Sequence, residues 1–162
     1  MTKTLVLPDT GERGELYQSL LPQITALTDS ENDLIANLAN TSAALFSSFD
    51  WLWVGFYLVK DDELVLGPFQ GPLACTRIAY RKGVCGSAWA QAKTLIVEDV
   101  AQFDGHIACS SESRSEIVIP ILKAQQCVGV LDIDSRQLAD FSIIDAQALE
   151  PLCEHLSKFF PN

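Results

Sequence analysis

Positive charge is scarce in this chain: 11 lysines and arginines stand against 21 aspartates and glutamates, a formal net charge of −10 over 162 residues. Nucleic acid and anionic membranes both require a basic surface, and no basic patch with interleaved aromatics occurs, so both are set aside as partners. Histidine is scarcer still, with only His106 and His155. There is no Cys-x-x-Cys pair. Cys75, Cys85 and Cys109 lie 10 and 24 residues apart, which fits no zinc-ligand spacing, so no metal is expected. No apolar run approaches the roughly 18–20 residues that span a bilayer. The start, MTKTLVLPDTGERGEL, has too short an apolar stretch for a signal peptide and no small-residue cleavage site. These absences imply a cytoplasmic protein, in which thiols stay reduced and a disulfide is transient and catalytic rather than structural.

What remains is 48% apolar, enough for one sizeable core, with no repeat, low-complexity tract or linker. One domain over 1–162 is expected, with 1–12 as an irregular leader because of Pro8, Asp9 and Gly11. Leu16, Leu20, Leu21, Ile24 and Leu27 have helical spacing, with Pro22 as a flaw that shortens or kinks the helix. A second helix is expected to start near Thr28–Ser30, with Glu31 and Asp33 in its first turn. Then the texture becomes β-branched and aromatic. WLWVGFYLV (51–59) and ELVLGPF read as strands across the turn KDDE, and CTRIAY (75–80) as a short strand. GVCGSAWAQAK (83–93) reads as a turn into a short helix, and TLIVEDV (94–100) as a strand. AQFDGHIACSSESRS is a long polar loop, of the kind that carries function. SEIVIPILK and CVGVLDIDS form a hairpin across AQQ, and FSIIDAQALEPLCEHLSKFF a closing amphipathic helix capped by Ser142. The class is α+β, with helices on a mostly antiparallel sheet.

Strand periodicity sorts the polar residues. Asp132 and Asp134 are two apart and share a face, opposite Leu131 and Ile133, and Glu116 opens the partner strand. Three carboxyl groups in one enclosed site cannot all ionise cheaply, so at least one should keep its proton and serve as a general acid. A solvated acidic hairpin end is the plainer reading, and spacing leaves both open. Trp53, Gly55 and Tyr57 also share a face; the glycine leaves a gap that fits a small apolar group, unless the two rings simply pack in the core. Cys109 lies in the polar loop. Its thiol needs backbone donors or a cation to become a nucleophile, and Arg114 and His106 are nearby in sequence. His106 is also placed to be the base of a cysteine hydrolase. Cys127 and Cys153 read as inert core residues.

WVGFYLV, LGPFQGPLACTRI, KGVCGSAWA, VEDVAQFDGHIACSSESRSEIVIPI and GVLDIDS together resemble the free methionine-(R)-sulfoxide reductases, enzymes built on a GAF domain, from residue 30 to the C-terminus. The resemblance implies a six-stranded antiparallel sheet between helices, with a closed pocket on one face. It implies Cys109 as nucleophile, Cys75 as resolving thiol and Cys85 as a secondary or relay cysteine. Glu116, Asp132 and Asp134 would bind the sulfoxide oxygen and the substrate ammonium, and the face of Trp53 and Tyr57 the sulfoxide methyl. Attack on the sulfoxide would give a Cys109 sulfenic acid, which Cys75 converts to a disulfide. Thioredoxin, fed by NADPH, would reduce that disulfide, with no bound cofactor. A homodimer is also implied. The rival reading is a GAF module that binds a small ligand or senses redox state without turnover.

Overall fold

The computed structural model describes residues 4–162; residues 1–3 of the expected leader lie outside them. Residues 4–12 form no helix or strand, and Val6 is tied to Gln23 through both its N–H and its carbonyl. Four helices follow: α1 (Arg13–Asp29), α2 (Leu34–Ser48), α3 (Gly83–Gln91) and α4 (Ile143–Ser157). They flank six strands: β1 (Trp53–Lys60), β2 (Glu63–Gln70), β3 (Arg77–Ala79), β4 (Leu95–Val97), β5 (Ser115–Lys123) and β6 (Gln126–Ser135). All pairings are antiparallel, in the order β3-β2-β1-β6-β5-β4. This is the α+β sheet the sequence implied.

Alternation along the strands divides the interior in two. Val54, Phe56, Leu58, Ile117, Ile119, Leu131 and Ile133 face α1, α2 and α4 and form the larger core. Trp53, Tyr57, Val118 and Val130 face the opposite way, toward α3, with Cys85 and Ala88. Burying one Leu, Ile or Phe contributes roughly 1.5–3 kcal/mol, so the larger face fixes the register of every strand. The smaller face is then free to carry polar groups.

Four local expectations are corrected. The second helix starts at Leu34, not near Thr28–Ser30. Buried Thr28 returns its hydroxyl to the Ile24 carbonyl and stays in α1, while Asp33 caps α2 by accepting from Ala36 N–H at 2.8 Å. Pro22 does not shorten α1, which continues through it with Leu20 and Ile24 fully buried on either side. Strand β4 is only three residues long, because Asp99 caps a 3-10 turn over Val100–Gln102. The last hairpin turns on Ala124 and Gln125 alone, both at positive φ (49° and 66°), which suits a two-residue primed turn. Short helix α3 lies close against the chain beside it: a Cβ on Gly86 would stand 2.6 Å from the Ala79 carbonyl oxygen.

Candidate functional site

Register alone assembles the acids. β1 pairs with β6 so that Trp53 opposes Asp134 and Gly55 opposes Asp132, and β5 pairs with β6 so that Glu116 opposes Asp134. Trp53, Tyr57, Glu116, Asp132 and Asp134 therefore share the α3 face. From the other side, the first turn of α3 delivers Cys85, whose Sγ is 3.9 Å from Glu116 Oε1. His106 adds its Nε2 at 3.8 Å from Glu116 Oε2. Ser113 donates its hydroxyl to Asp134 Oδ1 at 2.7 Å. These groups line one cavity of about 50 Å³, where a single water needs roughly 10–15 Å³.

Cys75 and Cys109 are joined in a disulfide at this cavity, with 5.6 Å between their Cα atoms. That separation is ordinary for a bridge. Cys109 is the exposed half and Cys75 is half-buried. The Cys75 segment is held to the sheet by two aromatic side chains: the Tyr57 hydroxyl donates to the Cys75 carbonyl at 2.8 Å, and Trp53 Nε1 to the Pro72 carbonyl at 3.1 Å. Cys85 stays a free buried thiol, as does Cys153, while Cys127 is half-buried.

The electrostatics are unusual because, among the described residues, no lysine or arginine pairs with the acids, and the one basic side chain near the trio is His106, beside Glu116. Burial pushes all three carboxyl pKa values upward. Glu116 is driven further by Asp132 and Asp134, and Asp134 by Asp132. Nearby Glu116 and Cys85, both able to donate, restrain the rise at Asp132. Glu116 thus holds a proton well above the usual carboxylate range. A thiol in the first turn of a helix is normally acidified. At Cys85, burial and the facing acids win instead, pushing the thiol well up. Burial lowers the His106 pKa, leaving a neutral imidazole.

Three site expectations change. The gap proposed at Gly55 is filled by the protein itself, since a Cβ there would stand 2.5 Å from Trp53 Cη2; the ring lies over the glycine and stacks on Phe69 at 5.2 Å. Arg114 is exposed and does not line the cavity. His106 faces Glu116 rather than Cys109, which is bridged to Cys75.

Compared with known proteins, residues 28–160 match the GAF domain. The chain belongs to the GAF domain family. Within that family, the free methionine-R-sulfoxide reductase of Escherichia coli (strain K12) is 49% identical over 145 residues, covering 89% of this chain and 88% of that protein. GAF domain-containing protein A of Dictyostelium discoideum is 56% identical over 147 residues, covering 90% and 93%. The X-ray structure of free methionine-R-sulfoxide reductase from Neisseria meningitidis in complex with its substrate is 52% identical, with a TM-score of 0.95 over 98% of this chain and 96% of that one. The chain therefore stands among the GAF-type free methionine-R-sulfoxide reductases, a group of oxidoreductases.

Two members of this GAF cavity were not assigned there from sequence. Ser113 gave no signal beyond its place in a polar loop. His106 was noticed only as a neighbour of Cys109, and its approach to Glu116 depends on how the loop folds back. The site also groups Cys85, Glu116 and Asp132, whose donor atoms all lie within 4.8 Å of one another, although linear spacing suggested no ligand cluster.

Proposed function

We propose that this GAF domain reduces free L-methionine-(R)-sulfoxide to L-methionine, with Cys109 as nucleophile. The observation that carries the reading is a Cys75–Cys109 bridge placed on a cavity floored by proton-holding acids. In the reduced protein, the Cys109 thiolate attacks the sulfoxide sulfur while Glu116 donates a proton to the sulfoxide oxygen. The protonated oxygen then passes from the substrate sulfur to Cys109 Sγ: the new Sγ–O bond forms as the substrate's sulfur–oxygen bond and the transient Sγ–sulfur bond break, so methionine leaves with the electron pair and Cys109 remains as a sulfenic acid. The Cys75 thiol then attacks that sulfur, the bridge forms and water departs. Asp132 and Asp134 face the substrate ammonium, and Trp53 and Tyr57 hold the methyl. Two of the three sulfur substituents then have fixed places, which disfavours the (S) epimer. A peptide-bound residue lacks the ammonium and brings flanking chain.

Recycling falls to an external dithiol, thioredoxin supplied by NADPH, with no bound cofactor. Cys85 is a spare thiol able to exchange with the bridge. A homodimer in the cytoplasm completes the proposal. No helix among the described residues is long and apolar enough to cross a membrane.

The test supplies the free (R) sulfoxide, the free (S) epimer and a peptide sulfoxide separately, with thioredoxin, its reductase and NADPH. Turnover is expected only with the first and should vanish in Cys109→Ser. A folded, reduced protein that consumes no NADPH with any of them would instead be a ligand-binding GAF module.

A further inference from the structure

Cys85 is the group that the bridge leaves unused, yet it is the best surrounded by other ligands. Its Sγ, one Glu116 oxygen and one Asp132 oxygen lie within 4.8 Å of one another, on three different elements, and all three residues are more than nine-tenths buried. The Asp132 Oδ1 atom is buried with no hydrogen-bond partner among the described residues. His106 Nε2 stands 3.8 Å from Glu116 Oε2 at the edge of the trio. A buried orphan acceptor beside a thiol and a second carboxyl, with no lysine or arginine among the described residues paired to them, is a donor set that a cation would satisfy.

The donors select the kind of cation. Thiolate with carboxylate suits zinc, whereas calcium and magnesium take all-oxygen shells. Tetrahedral zinc, with bonds of about 2.0–2.3 Å, spaces its donors roughly 3.3–3.8 Å apart, so the trio needs to close by only about 1 Å. Coordination requires the ligand atoms in their deprotonated form, so binding would release protons.

We propose that Cys85, Glu116 and Asp132, with His106 beside Glu116, form a site for one divalent thiophilic cation, and that occupancy reversibly shuts the substrate cavity. The binding half stands on geometry; the blocking half rests on the reductase reading. In this arrangement the cation takes the carboxyl oxygens that would otherwise meet the sulfoxide oxygen and the ammonium.

Cobalt(II) is the probe, titrated into the oxidised protein, in which Cys75 and Cys109 are consumed by their bridge. One cobalt per chain should appear with a thiolate charge-transfer band and the intense visible bands of four-coordinate cobalt, displaced by zinc. Cys85→Ser should abolish the charge-transfer band, and the near-isosteric Asp132→Asn should weaken binding by about tenfold or more. Absence of the band at tenfold excess cobalt, or its survival in Cys85→Ser, overturns the site. For the blocking half, Cys109→Ser, which has lost the attacking thiol, is titrated with free (R) sulfoxide with and without zinc. Weaker sulfoxide binding that a chelator restores supports exclusion, and independent binding of the two overturns it. If that variant binds no sulfoxide even without metal, the reductase reading fails, and the cobalt bands still decide the cation site.

Discussion

The molecule buries carboxyl groups in two places and treats them in opposite ways. Under the larger core, Asp145 is fully buried and fully partnered. It accepts from the Tyr17 hydroxyl at 2.6 Å, from Arg13 Nη1 at 3.2 Å and, within its own capping box, from Ser142 N–H at 2.8 Å. Arg13 reaches on to Asp140 at 2.7 Å and lies over the Phe49 and Trp51 rings. On the far side of the sheet, Glu116, Asp132 and Asp134 have no guanidinium or ammonium partner among the described residues, and one Asp132 oxygen has no hydrogen-bond partner among them. The first cluster holds helices α1 and α4 together. The second cluster gains nothing for folding from its charges, and that is the mark of groups kept for another purpose. Burial alone does not tell a structural acid from a functional one; the presence of a counter-charge does.

Substitutions that exchange the two situations should separate them, in order of their effect on stability. Arg13→Ala leaves Asp145 buried beside no cation and should cost about 3–5 kcal/mol in a denaturant melt, while sulfoxide turnover by the folded fraction is retained. Glu116→Gln should do the reverse. It relieves an unpaired acid and is expected to gain about 0.5–2 kcal/mol at neutral pH, while turnover falls roughly 10²–10⁴-fold. A Glu116→Gln protein that is clearly less stable and equally active would erase the contrast. The smallest effect is in pH dependence. A carboxyl whose pKa is raised on folding binds more protons in the native state than in the unfolded chain. Its stabilising contribution is therefore complete below the unfolded value, about 4, and is lost as pH rises through the folded value. Relative to Asp132→Asn, the native protein should lose stability as pH climbs above that range, by at most about 1.4 kcal/mol per unit for each group. Melts of both proteins from pH 4 to 8 give that slope directly.

Much of this was legible in the chain because it depends on period and spacing. Alternation in WVGFYLV and VLDIDS put Asp132 and Asp134 on one face and Leu131 and Ile133 on the other, and the hairpin brought Glu116 opposite Asp134. The pairing of Cys75 with Cys109 came from the family motifs, since nothing local fixes a bridge across 34 residues. The Arg13–Asp145 pair spans 132 positions and was invisible for the same reason. The start of α2 was misplaced because Thr28, Ser30 and Asp33 are all good caps, and only burial of Thr28 against α1's own carbonyls decides among them. At Gly55, sequence showed a missing side chain but not which neighbour would cover it; the Trp53 ring does.

The two aromatic hydrogen bonds that hold the Cys75 segment make the bridge unequal at its ends. Tyr57 and Trp53 moor residues 72–75 to the sheet, while Cys109 hangs from an exposed loop and is the more exposed of the two cysteines. Cutting the bridge therefore returns conformational freedom to one strand of chain and not to the other. The moored thiol stays where it was, like a bollard, and the line that swings free carries Cys109 with it.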